Sequence, residues 1–222
     1  MKLLILRLEG MLQSWGDRPH WDHRGTAEMP TKSGIVGLLG CAMGIGRGDS
    51  RLRELGETLS LAVRADRRAS LLHDYQTVQS LRGKFPNASG GVRNSNTLVT
   101  PKDYLEDACY TVFIAAPEET LEACAAALRH PVWTPCLGRR SCPPTRPLLP
   151  LISEAYSSLE DAARHFRWKN PPVRGASANL LYEIDDGSGL LRRYDRPIDA
   201  SRNQYAQRRV RQVYEKEGYP CS

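Results

Sequence analysis

Ala108-Cys109-Tyr110-Thr111-Val112-Phe113-Ile114-Ala115 is an almost wholly apolar run that leads through Ala116 into Pro117-Glu118-Glu119. A short run rich in β-branched and aromatic residues predicts a strand. Proline at the first turn, with two carboxylates on the positive end of the dipole, predicts a helix from Pro117 through Leu128, which Pro131 ends. A strand feeding a helix in this way needs further strands beside it.

Upstream, Leu3-Leu4-Ile5-Leu6-Arg7-Leu8 is a short, mostly apolar run closed by Glu9-Gly10, the pattern of a buried strand. Thr31-Lys32-Ser33 precedes Ile35, Leu38, Leu39, Ala42 and Met43 at helical spacing, which predicts a helix with its start near Thr31. Arg51 to Thr58 predicts a short helix capped by Asp49 or Ser50, and Leu59 to Ala65 alternates like a strand. From Tyr75 to Lys102 there is no acidic residue, while Arg82, Lys84, Arg93 and Lys102 are basic and Gly83, Pro86, Gly90 and Gly91 punctuate the stretch. We read it as an inserted arm, expected to be mobile when free because it has few large apolar residues and no acid to pair with its cations.

The order strand, helix, strand, insertion, strand, helix matches a βαββαβ ferredoxin-like unit if a fourth strand lies near Val132 to Leu137. Cys142-Pro143-Pro144-Thr145-Arg146-Pro147 is irregular and predicts a boundary. Beyond it a short helix is expected near Ser158 to Arg164. A hairpin is expected from Asn179 to Ile184 and Leu190 to Tyr194 around Asp185-Asp186-Gly187-Ser188-Gly189, and a last strand near Val210 to Tyr214. The expected fold class is α+β, with a main unit over 1–146 interrupted by the arm at 77–102, and a smaller β-rich portion over 147–222.

Composition narrows the classes of function. The 222 residues are 41% hydrophobic and 25% charged, ordinary globular usage that excludes global disorder and disulfide-stapled miniproteins. Lys plus Arg number 31 against 25 acids, a formal charge of +6, which favours polyanionic partners. The longest nearly apolar stretch, Gly34 to Gly46, carries five glycines in 13 residues and is too short to cross a bilayer. Arg7 and Glu9 break the first apolar run before it reaches signal-peptide length, so a cytoplasmic protein without membrane association is expected. Cys41, Cys109, Cys124, Cys136, Cys142 and Cys221 include no C-x-x-C pair and are expected to be reduced thiols, without metal or disulfide.

Two features point to chemistry. Gly34, Gly37, Gly40 and Gly44 recur along the first helix and call for close backbone approach, either to the sheet or to a phosphate at a helix N-terminus that also carries Thr31, Lys32 and Ser33. Cys136-Leu137-Gly138-Arg139-Arg140-Ser141-Cys142-Pro143-Pro144 sets two guanidiniums between a glycine and two prolines, a loop able to hold forked donors against phosphates. The histidines, His20, His23, His73, His130 and His165, form no triad or metal spacing. His20 and His23 flank Trp21 in a loop able to stack on bases. The first and third strands lack the paired aromatics of an RNA-recognition sheet, so RNA binding would fall to the loops. Arg192, Arg193, Arg196, Arg202, Arg208, Arg209 and Arg211 face only Asp195 and Asp199 near the end, which fits either a solvated surface or a nucleic-acid face.

Three stretches, Gly10-Met11-Leu12-Gln13-Ser14-Trp15-Gly16, Pro30-Thr31-Lys32-Ser33-Gly34-Ile35-Val36-Gly37-Leu38-Leu39-Gly40 and Leu137-Gly138-Arg139-Arg140-Ser141-Cys142-Pro143-Pro144, have a common likeness. With Asp74-Tyr75-Gln76-Thr77-Val78 between the last two, they resemble the CasD family of the RAMP superfamily. These are the subunits of type I-E CRISPR surveillance complexes (Cascade) that cap the 5′ end of the guide RNA. The resemblance runs from residue 1 to about 147 and thins to scattered likeness around Arg208-Arg209-Val210.

The resemblance implies a modified ferredoxin-like, RRM-like palm, an extended thumb hairpin formed by the arm, and a small C-terminal portion. It implies a non-catalytic subunit that binds the 5′ handle of CRISPR RNA. Its partners would be CasC-type backbone subunits, a CasA-type large subunit and, indirectly, target DNA, with no cofactor. Carried over by motif, the RNA-binding residues are Gln13, Ser14, Trp15, Thr31, Lys32, Ser33, Arg139, Arg140, Ser141 and Cys142. Thumb contacts to RNA or neighbouring subunits fall to Arg82, Lys84, Arg93 and Lys102. Relatives in the type I-C system cut the guide precursor with Tyr, Lys and His, including an adjacent Lys-His pair that this chain lacks. The alternative is a metal-free guide-processing endoribonuclease using His73, Tyr75 and Lys84.

Overall fold

The computed structural model describes residues 1–16, 23–86, 90–170, 179–199, 202 and 204–215; His20, Trp21 and Cys221 lie outside them. Strand β1 (Leu3–Glu9) explains its mostly apolar run by facing two cores. Leu4, Leu6 and Leu8 enter one cluster, and Leu3 and Ile5 the other. Strand β2 (Leu12–Gln13) is followed by α1 (Lys32–Met43), whose N-cap is Thr31, and by α2 (Ser50–Thr58), whose N-cap is Asp49. Strand β3 (Ser60–Arg67) then crosses the sheet.

The arm leaves as β4 (Ser70–Gln79), is tipped by β5 (Lys84–Pro86) and β6 (Val92–Asn94), and returns as β7 (Thr97–Glu106). Its ladder runs from Ser70 opposite Glu106 to Gln79 opposite Thr97. The hairpin therefore begins before the acid-free stretch and ends after it, and its base carries Asp74, Asp103 and Glu106. Strand β8 (Cys109–Ala115) leads into α3 (Glu118–Arg129) behind Pro117. The chain continues through β9 (Leu151–Ser153), α4 (Leu159–His165), β10 (Leu180–Ile184), β11 (Leu191–Asp199) and β12 (Gln204–Glu215).

One sheet runs in the order β11-β12-β10-β3-β8-β1-β9, and its neighbours pair antiparallel. A smaller sheet joins β2, β7 and β4. The fold is thus mixed α and β with a mainly antiparallel sheet. Helices α1 and α3 cover one face through Ile35, Leu39, Leu121 and Leu128. Residues of α4 and the loop after it cover the other, with Ala162, Ala163 and Phe166 on Phe113 and Ala62, and Phe166 meeting Phe113 edge-on at 5.8 Å. Among the described residues, no helix is long and apolar enough to cross a membrane.

Two expectations are corrected. Val132 to Leu137 is not a strand, because its amides are spent elsewhere: Val132 N–H donates to the Ala42 carbonyl (2.9 Å) and Trp133 N–H to that of Cys41 (3.3 Å), at the open end of α1. The edge beside β1 is taken by β9 instead. The segments flanking residues 185–189 do not pair as a hairpin, since β12 lies between β10 and β11 and bonds to both. β10 also pairs with β3, so these last strands extend the main sheet. Along α1, Gly34 and Gly40 are close-approach positions, against Trp15 and Leu52 respectively, whereas a Cβ at Gly37 would meet nothing within 4 Å.

Candidate functional site

The three quoted stretches meet where the arm joins the sheet. Trp15 is fully buried, and a Cβ at Gly34 would lie 2.6 Å from its Cε3, so ring and helix backbone touch directly. Trp15 Nε1–H donates to Gln13 Oε1 (3.1 Å), and Gln13 Nε2–H donates to the carbonyls of Leu8 (3.2 Å) and Ala108 (2.9 Å). Ser14 N–H donates to the Leu137 carbonyl (3.1 Å), and its hydroxyl donates to the Asp103 carbonyl (3.2 Å). Gln13, Ser14 and Trp15 are thus buried polar scaffolding whose partners are all internal.

Gly138, at φ +90°, crosses directly over Ser14. The turn aims Arg139 inward: its guanidinium donates to the carbonyls of Asp103 (3.0 Å), Gly25 (3.2 Å) and Arg24, and lies 4.9 Å above the Tyr104 ring. Arg140 and Ser141 are exposed, with the Ser141 hydroxyl 3.4 Å from that of Tyr104, while Cys142 is buried. The adjacent arginines therefore differ in kind: Arg139 fastens the loop, and Arg140 offers its charge to solvent.

The N-terminus of α1 already holds an anion. Lys32 N–H donates to Asp195 Oδ2 (2.7 Å), and Thr31 Oγ1 accepts from Gly34 N–H (3.3 Å). Asp195 is itself fully buried and accepts from Arg208 at 2.6 and 2.8 Å. The Lys32 ammonium is buried against Asp185 (2.9 Å). The charge that the helix dipole favours thus comes from the chain's own carboxylate, and Ser33 alone of the Thr31-Lys32-Ser33 trio is more than marginally exposed.

On the arm, Arg82, Lys84 and Arg93 are exposed, and Lys102 bonds Gln76. Lys84 pairs with Asn94, seven positions from Pro101, the partner of Tyr75; at 3.3 Å per residue this is roughly 20 Å along the arm. His73 and Tyr75 share a face of β4, but Lys84 stands beyond reach of both. Asp103 instead gathers two imidazoles, His73 Nδ1 at 2.7 Å and His23 Nε2 at 2.9 Å. Burial pushes its carboxyl up, but the bonds to His23 and His73 outweigh burial and hold it below the usual range. Positions 23, 73 and 103 are too far apart in sequence for any spacing motif to have joined them.

Of the C-terminal arginines, Arg193 pairs with Glu183, Arg208 with Asp195, Arg211 with Glu160 and Asp186, and Arg202 with Asp199. Arg192 and Arg209 are exposed and directly opposite on β11 and β12.

Comparison with known proteins gives a consistent picture. The family model described as CRISPR-associated protein (Cas_Cas5) matches residues 3–211. The chain is 41% identical over 157 residues to the CRISPR system Cascade subunit CasD of Escherichia coli (strain K12), covering 65% of this chain and 68% of that one. Among solved structures it is similar to a chain of a CRISPR RNA-guided surveillance complex, with TM-score 0.75 and 30% identity over 97% of this chain and 91% of that one. It is also similar to a crystal structure of a Cas protein, with TM-score 0.69 and 30% identity over 98% and 99% of the two chains.

Proposed function

This chain belongs to the CRISPR-associated Cas5 family, and on that footing we propose that it is a non-catalytic subunit of a Cascade-type surveillance complex that seats the 5′ handle of CRISPR RNA. The observation that carries this is the clasp of the 137–142 loop on Ser14 and the arm base, which leaves Arg140 and the backbone of Ser141 exposed where the basic arm departs. Both faces of the sheet at β1, β8 and β3 are covered by helices or loops, so bases cannot stack there as they do on an open RNA-recognition sheet. Loops and arm are the surfaces left beside these three strands.

In this account Arg140, Ser141 and Ser33 face the handle, and Gln13, Ser14, Trp15, Thr31, Lys32, Arg139 and Cys142 shape the loops that present them. Arg82, Lys84, Arg93 and Lys102 on the arm meet the guide and CasC-type backbone subunits. A CasA-type large subunit and target DNA complete the cytoplasmic assembly, and a separate nuclease cuts the precursor. The order β9-β1-β8-β3, with α1 and α3 on one face, supports a ferredoxin-like palm. The test is fluorescence anisotropy of handle RNA with the purified chain, followed by reconstitution with the other Cascade subunits. Arg140→Glu should weaken handle binding and assembly, and cleavage of repeat RNA by the chain alone, lost in His73→Ala, would overturn the non-catalytic assignment.

A further inference from the structure

We propose that His23, His73 and Asp103 form a site for a divalent transition-metal ion of the zinc, cobalt or nickel class at the base of the arm. Two imidazole nitrogens and a carboxylate oxygen lie within 4.8 Å of one another. They come from three places in the chain: the segment between β2 and α1, strand β4 and strand β7. His73 and Asp103 are direct partners in the arm ladder, so their side chains share one face.

His23 is delivered by its neighbour. Arg24 N–H donates to the Pro101 carbonyl (3.0 Å), and the Arg24 carbonyl accepts from Asp103 N–H (3.0 Å). The Asp103 carbonyl in turn accepts from Ser14 Oγ (3.2 Å) and Arg139 (3.0 Å). The backbone under all three donors is therefore fixed by bonds that do not involve the imidazoles, the support a ligand set needs to be preorganised.

Donor chemistry selects the ion. Two imidazoles and one carboxylate suit zinc-class ions, whereas magnesium and calcium favour all-oxygen sets. His73 Nδ1 and His23 Nε2 already approach different oxygens of the one carboxylate, at 2.7 and 2.9 Å. An ion seated between them takes the place of those two hydrogen bonds, with each neutral imidazole keeping its proton on the other nitrogen. Three protein ligands leave a fourth tetrahedral position. That position opens outward, because the His73 and His23 side chains are 71% and 46% exposed and Gly25 stands beside Asp103 Oδ2 without a side chain to fill the space. The ion ties the segment at His23 to the arm and turns a locally negative carboxylate into a locally positive centre.

The test uses the tag-free full-length chain, stripped with chelator and titrated with cobalt and then zinc. Expected are one equivalent bound per chain and visible cobalt bands without a thiolate charge-transfer band. His73→Ala, at an exposed position, should weaken binding by more than the roughly 10- to 100-fold that loss of an outer partner costs while the metal-free chain stays folded, as thermal melts on the same samples show. Asp103→Asn should do the same, and zinc should slow hydrogen exchange at Arg24 and Asp103. Absence of saturable binding, a thiolate band, or unchanged affinity in His73→Ala would overturn the assignment.

Discussion

A Cβ at position 138 would lie 1.7 Å from the carbonyl oxygen of Ser14, so Gly138 and Ser14 touch backbone to backbone. Neither atom set can yield, because Ser14 N–H is bonded to the Leu137 carbonyl and its hydroxyl to Asp103, and φ at Gly138 is +90°. Gly138→Ala combines a forbidden contact with a left-handed strain and should cost about 3 kcal/mol or more. That corresponds to a fall of roughly 6 to 12 °C in melting temperature for a chain of this size. Thermal melts check it; a fall under about 2 °C would mean the two loops separate freely.

Asp195 joins the C-terminal strands to the start of α1, accepting from Lys32 N–H at 2.7 Å and from Arg208 at 2.6 Å while fully buried. Asp195→Ala leaves a buried guanidinium whose one remaining ion pair among the described residues is a long contact to Asp185 (3.7 Å), and breaking such a pair from one side costs about 3 to 5 kcal/mol. Removing both partners, in Asp195→Ala with Arg208→Met, should be less damaging than Asp195→Ala alone. A double-mutant cycle by urea denaturation reads the coupling.

Those two relationships also mark the limit of what the chain spells out locally. The apolar runs at Leu3 and Ala108, the Thr31 and Asp49 caps and the Pro117 start depend on neighbours within a turn or a strand, and the structure places elements where those signals fall. Strand β9 has three residues, too few to show a period, and the amides of Val132 and Trp133 were claimed by α1. Strand order among β10, β11 and β12 depends on register between distant segments, which adjacency misjudges. At the site, Arg139 and Arg140 look alike in sequence; only the fold shows that one binds carbonyls and the other faces solvent.

Acid should loosen the C-terminal part of the sheet. Arg211 bonds Glu160 (2.7 Å) and Asp186 (2.9 Å). Its hydrogen bond is the main cause that holds the Glu160 carboxyl below the usual range, and Asp186 is held low despite its burial by bonds from Ser188 and Arg211. Carboxylates lowered in the folded state add stability that is present above the ordinary range near pH 4 and is lost as pH falls through the folded values. Melting temperature should therefore fall as pH drops below about 4.5, and less steeply in Arg211→Met. Equal slopes would remove Arg211 from the account.

Order along the arm should be graded in the free protein. At the base, Tyr104 and Leu105 are buried and Asp103 is bonded to three segments, whereas Lys84, Val92 and Arg93 at the tip are exposed. Opening free energy follows such burial, so amides of β5 and β6 should exchange fast in the free chain and slow on assembly, while those near Asp103 stay protected in both. Uniform exchange along β4 and β7 would contradict this.

Arg139 and Arg140 should separate stability from RNA binding. Arg139→Ala removes donors to the carbonyls of Arg24, Gly25 and Asp103 and the stack on Tyr104, so it should lower stability by about 1 to 3 kcal/mol and loosen the loop. Arg140 is exposed, so Arg140→Ala should leave the melting temperature within about 1 °C of wild type. If Arg140 meets a phosphate of the handle, its loss removes one charge-assisted contact, about 1.5 kcal/mol or tenfold in affinity. The plot of log affinity against log salt should also flatten by about 0.7 on single-stranded RNA. Arg192→Ala with Arg193→Ala is the comparison: Arg193 is committed to Glu183 and only Arg192 is open, so two arginines are lost but one outward charge at most. Anisotropy across a salt series, with melts on the same samples, decides it: an unchanged salt slope for Arg140→Ala would remove that residue from the handle site.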